Sequence, residues 1–132
     1  MADTVNTNVV FKGTRKVTLQ LSNLSDGTGE SAVAKVSVAS YLLPSGAAPT
    51  AFIIESIMWN IQGFAGVRLY FDATTDDEAV FLAPGFGFFD WKAEGGIMDP
   101  RSTGSTGNIV LTTAGASSGA TYDITITVRL KA

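Results

Sequence analysis

Apolar and polar side chains alternate with a period of two through most of this chain, and that pattern predicts β-strands. The cleanest case is "TYDITITVRLKA". Tyr122, Ile124, Ile126, Val128 and Leu130 share one parity, while Asp123, Thr125, Thr127, Arg129 and Lys131 share the other. Such a strand has one buried face and one wet face. "KVTLQLS" repeats the scheme, with Val17, Leu19 and Leu21 inward, and so does "VRLYFD", with Val67, Leu69 and Phe71 inward. "FIIESIMWNIQG" is noisier: Ile53, Ile57, Trp59 and Ile61 share a face, but Glu55 falls on the apolar parity. A bulge or a rim position is expected there. "AKVSV", "NIVLTT", "EAVFL" and "GFFDW" complete the set; the last two are short, but too β-branched and aromatic for helix. "GESAVAKVSVASYLL" could be drawn as a helix, yet Ser37, Val38 and its β-branched content favour strand.

Gly-, Pro-, Ser- and Asp-rich turns separate these segments, among them "SDGTG" (25–29), "LPSGAAPT" (43–50), "APGFG" (83–87) and "DPRSTGSTG" (99–107). The result is about eight strands and no significant helix. Their spacing predicts an all-β antiparallel sandwich, jelly-roll-like, and not a parallel α/β sheet. The 132 residues suit a single domain. We expect that domain over residues 11–132, with a loose N-terminal arm over 1–10.

Composition narrows the chemistry. There is no histidine and no cysteine, which removes the usual serine and cysteine triads and His- or Cys-based zinc sites. A net charge of −3 argues against nucleic-acid binding. Only 16% of residues are charged, against about a quarter in an average domain. A surface so lean in charge is expected where partners cover part of it. The first residues lack the basic and apolar regions of a secretion signal, and no apolar run is long enough to span a bilayer as a helix.

Two stretches could carry a site. Asp72, Asp76, Asp77 and Glu78 place four acids within seven positions. As a hairpin connection between two strands, "DATTDDE" reads as acids capping a turn. A weak surface calcium or magnesium site is the alternative, although the loop lacks the glycine of an EF-hand. Nothing in the spacing marks a pair of hydrolytic carboxylates. We therefore expect no enzyme and no cofactor. In "PGFGFFDW", Phe86 and Phe88 lie on one parity, Phe89 and Trp91 on the other. A strand here would be apolar on both faces, one meeting the core and one meeting another surface. With Trp59, these rings are the interface candidates, because aromatic residues concentrate at the centres of interfaces. A carbohydrate-stacking platform would use the same rings.

The segments "WNIQGFAGVRLYFDATTDDEAVFL", "GGIMDPRSTGSTGNIVLTT" and "SGATYDITITVRLK" together resemble small all-β virion proteins of tailed bacteriophages. The resemblance spans roughly residues 17–131, through Gln62–Asp77, Gly95–Pro100 and Thr121–Thr125. It implies a capsid decoration (cement) protein, a homo-oligomer and commonly a trimer, seated on major capsid subunits at the virion surface after synthesis in the host cytoplasm. A tail or connector subunit is the neighbouring reading within the same family of roles. No membrane and no nucleic acid are implied as partners. A coat protein of the RNA-phage type fits poorly, since those coats end in helices and carry a basic sheet.

Overall fold

The structure is a computed structural model that describes residues 3–13 and 15–131. Ten strands form among them: β1 (Thr4–Lys12), β2 (Lys16–Asp26), β3 (Val33–Val36), β4 (Ala51–Gln62), β5 (Gly66–Phe71), β6 (Asp77–Leu82), β7 (Gly85–Asp90), β8 (Ile97–Met98), β9 (Ile109–Ala114) and β10 (Ser118–Lys131). The only helical pieces among the described residues are two three-residue 3₁₀ turns, Val38–Ser40 and Lys92–Glu94. One of them falls in the stretch that could have been drawn as a helix, just after β3.

All pairings are antiparallel. One sheet runs β1-β2-β10-β4-β7, with β8 beside β4; the other runs β3-β9-β5-β6. Eight of the strands nest as pairs from the outside in: β2 with β10, β3 with β9, β4 with β7, β5 with β6. A long hairpin rolled into two facing sheets gives this order, and it is the jelly-roll arrangement. The inward parities read for β2, β5 and β10 meet between the sheets. On β4, however, the bulge at Glu55 puts Phe52 and Ile54 inward with Ile57 and Ile61 and turns Ile53 to the outer face opposite Arg129. Val17, Leu19 and Leu21 from β2, Ile124, Ile126 and Val128 from β10, and Val67, Leu69 and Phe71 from β5 are all essentially fully buried. Burying each such side chain is worth about 1.5–3 kcal/mol.

Ten strands form where about eight were expected; the two additional ones are β1 and the two-residue β8. β1 runs through the stretch expected as a loose arm and past the boundary drawn at residue 11, paired with β2 from Thr4↔Leu24 to Lys12↔Val17 with one bulge at Val10. Met1 and Ala2 lie outside the described residues.

The expected bulge at Glu55 is present. Thr127 pairs with Ser56 and Val128 with Ile54, so Glu55 has no cross-strand partner. The extra residue turns its carboxylate to the outer face, where Lys16 Nζ lies 2.9 Å away and Arg129 Nη1 donates at 3.1 Å.

A buried polar cluster closes one end of the sandwich. Glu30 Oε1 accepts hydrogen bonds from Tyr122 Oη and from Asn23 Nδ2, and Glu30 Oε2 pairs with Lys35 Nζ at 2.6 Å. Burial, and after it the Glu30 carboxylate, push the Tyr122 phenol well above its usual range. Asn23 also donates to Asp3, whose carboxylate in addition accepts from Ser25 Oγ and from the backbone N–H groups of Asp26 and Gly29. Burial alone would raise Asp3, but these four bonds outweigh it and hold it at about 2. They fasten the start of β1 to the 25–29 turn.

Candidate interaction surface

The aromatic segment forms β7, at one edge of the larger sheet. Its register on β4 is Ile57↔Phe89, Met58↔Phe88, Trp59↔Gly87 and Asn60↔Phe86. Because cross-strand partners share a face, the two parities separate as the sequence suggested. Phe89 and Trp91 turn inward with Trp59 and stack in series, Trp59 to Phe89 at 5.2 Å and Phe89 to Trp91 at 5.3 Å between centroids. Trp59 and Trp91 are half-buried against the rim of the core, while Phe89 stays largely open. Gly87 makes this stack possible, since a Cβ there would lie 2.6 Å from the Trp59 ring.

Phe86 and Phe88 project from the other face, 86% and 59% exposed, beside Met58 at 53%. With Asn60, Asp123 and Thr125 they line a shallow groove of about 480 Å³. Its apolar wall comes from β7 and β4, and its polar floor from the wet parity of β10. The structure thus brings all five predicted rings to one edge and divides them between two faces. Met58, Asn60, Asp123 and Thr125 were not expected there, because strand order, not local pattern, sets them beside Phe86 and Phe88.

The total accessible surface, 6568 Å², is close to the roughly 6,600 Å² that a compact monomer of this mass exposes. The molecule is therefore not unusually open. What departs from the ordinary is where its apolar groups lie. The large exposed ones gather mainly on the two outer strands of one sheet: Phe86, Phe88 and Phe89 on β7, and Val5, Val9, Val10 and Phe11 on β1.

The four acids of the 72–78 segment do separate jobs. Asp76 Oδ1 accepts the Ala73 N–H at 3.0 Å, and Asp72 Oδ2 accepts the Thr106 hydroxyl at 2.7 Å. Glu78 pairs with Arg68 at 2.8 Å in the open, and Asp77 sits opposite Phe71 at the start of β6. Among the described residues no three acidic groups converge where a metal ion could be held. Of the four, Asp76 caps the hairpin turn. Replacing Asp76 and Asp77 together with Asn is expected to change stability by no more than about 1 kcal/mol. Urea denaturation with and without calcium checks this; a calcium-dependent midpoint in the wild type would overturn it.

Compared with known families, curated proteins and solved structures, the chain matches no family model, no curated protein and no solved structure.

Proposed function

We propose that this chain is a structural subunit of a tailed-bacteriophage particle, a homo-oligomeric capsid decoration protein that bridges neighbouring major capsid subunits. One observation carries the reading: two phenylalanines and a methionine stand out from the sheet at the β7 edge, each more than half exposed. The resemblance of the sequence to small virion proteins supplies the class of partner. The jelly roll serves viral coats and lectins alike, so fold alone does not choose between them.

The mechanism is multivalent clamping. Each edge contact is small, but copies joined to one another engage several capsid subunits at once, and the second contact forms at high effective concentration. Slow release from the shell matters more for such a cement than any catalytic property.

The test is co-sedimentation with shells of the phage that encodes the protein. Wild type is expected to pellet with shells lacking it, and Phe86→Ser with Phe88→Ser to bind at least about 100-fold more weakly, given roughly 1.5–3 kcal/mol per buried ring. Wild type that stays in the supernatant would refute the proposal.

The groove supports a second reading. Phe86 and Phe88 could stack against a sugar ring whose hydroxyls meet Asp123, Asn60 and Thr125, and binding on a glycan array would favour that module. A tail or connector role within the particle would be distinguished by a mass-spectrometric inventory of capsids and tails separated from each other.

A further inference from the structure

Three of the four sheet edges are blunted. β3 has four residues, β6 opens with Asp77 and Glu78, and β7 is short, carries Gly85 and Gly87, and ends in Asp90. Such features discourage pairing with a further strand. β1 has none of them before its last residue. It is nine residues long, free of proline and glycine, without a charge until Lys12, and exposed along its whole length. Its single irregularity, a bulge at Val10, lies past the middle of the strand.

The sequence of that edge is self-complementary. Val5-Asn6-Thr7-Asn8-Val9 reads the same in both directions. From this geometry we propose that two copies of the chain pair antiparallel along β1, about a two-fold axis at Thr7, making the larger sheet continuous from one copy to the other. In this register Val5 lies opposite the second copy's Val9, Asn6 opposite Asn8, and Thr7 opposite itself. Val5, Thr7 and Val9 share the inner face, since their partners in β2 are Asn23, Leu21 and Leu19. The apolar pairs therefore form on one side and the amide pairs on the other, and the two Thr7 hydroxyls meet at the axis, a pair that stabilises neighbouring strands. This is an isologous contact, in which one patch meets its own copy.

Charge at the ends selects the antiparallel direction. Asp3 precedes the strand and Lys12 closes it. Antiparallel pairing brings each Lys12 toward the other copy's Asp3 at both ends; parallel pairing would set like beside like. The edge is also held ready. Asp3 accepts four hydrogen bonds, from Asn23 and Ser25 at 3.0 Å, Asp26 at 3.1 Å and Gly29 at 3.2 Å, and Lys12 Nζ sits 5.6 Å over the Tyr41 ring. Little ordering remains to be done on association.

The contact does not depend on the proposed capsid role. It is also separate from any three-fold contact built on β7, because β1 and β7 occupy opposite edges of the sheet.

Thr7→Cys tests it in a chain with no cysteine of its own. Residues opposite each other in antiparallel strands have Cα atoms about 4.5–5.5 Å apart, inside the range a disulfide spans. In a glutathione redox buffer, T7C is expected to become mostly a covalent dimer of twice 13.8 kDa. Thr4→Cys is the control: two copies of that residue would lie about 20 Å apart along the paired strands and stay unlinked. In parallel, Val5→Lys with Val9→Lys is expected to halve the wild-type mass in light scattering and leave the circular dichroism spectrum unchanged. T7C that remains monomeric, T4C that links as readily as T7C, or a double-lysine variant of unaltered mass would each overturn the pairing. Failure of the shell-binding assay would leave these outcomes untouched, and their failure would leave shell binding untouched.

Discussion

Lys35→Ala is expected to lower the unfolding free energy by about 3–5 kcal/mol, the usual result of stripping one partner from a buried ion pair. Lys35 and Glu30 have side chains only 3% and 5% exposed, with Nζ 2.6 Å from Oε2. Without the ammonium, the Glu30 carboxylate keeps its bonds from Tyr122 and Asn23 but loses its counter-charge in a place water does not reach. For a chain of this size the melting temperature should fall by about 10 °C or more. Adding Glu30→Gln to Lys35→Ala should recover much of the loss, because a neutral amide oxygen still accepts from Tyr122 and Asn23. Urea titrations of the three proteins check both statements. A double variant no more stable than K35A would show that the charge was not what mattered.

Phe52→Ala should cost about 3–5 kcal/mol, a transfer loss compounded by a cavity. Phe52 is fully buried on β4 and meets the Tyr41 ring edge-on at 5.9 Å between centroids. Sheets pinned by cross-strand pairing on both sides of β4 cannot close over the gap. The same truncation at Phe86 removes a ring already in water and should move stability by no more than about 0.5 kcal/mol. Guanidinium denaturation of the pair separates a core ring from a surface ring. Equal losses at the two positions would contradict the division of faces described for β4 and β7.

β6 and β7 showed only through their β-branched and aromatic content, whereas β2, β5 and β10 were legible because each has one dry face, so alternation survives in the sequence. Glu55 was legible as a bulge for the same reason, being the residue that breaks parity. β1 was not, since both its faces are exposed and the alternation of Val5 and Val9 with Asn6 and Asn8 is short and breaks at Val10. β8 is too short to show any period. The split of Phe86 and Phe88 from Phe89 and Trp91 followed from parity alone. The groove beside them did not, because Asp123 and Thr125 arrive from β10 through the order of strands, which no local pattern encodes. Lys35 was hidden as well: its charge suggested solvent, and only Glu30, arriving from the turn after β2, allows it to be buried. Of the acids at 72–78, Asp76 was readable as a cap because an Asp beside a turn has backbone N–H groups within reach, whereas the partners of Asp72 and Glu78 come from other segments of the chain.

The last strand of the chain is the middle of its larger sheet. β10 lies between β2 and β4 and pairs with both along most of its length. Without β10, β1 and β2 have no bridge to β4 and β7, and the apolar faces of both halves stand open. Docking of β10 is therefore the step that closes the larger sheet. Loss of even the terminal ten residues would part the sheet down its centre and would not merely fray an end.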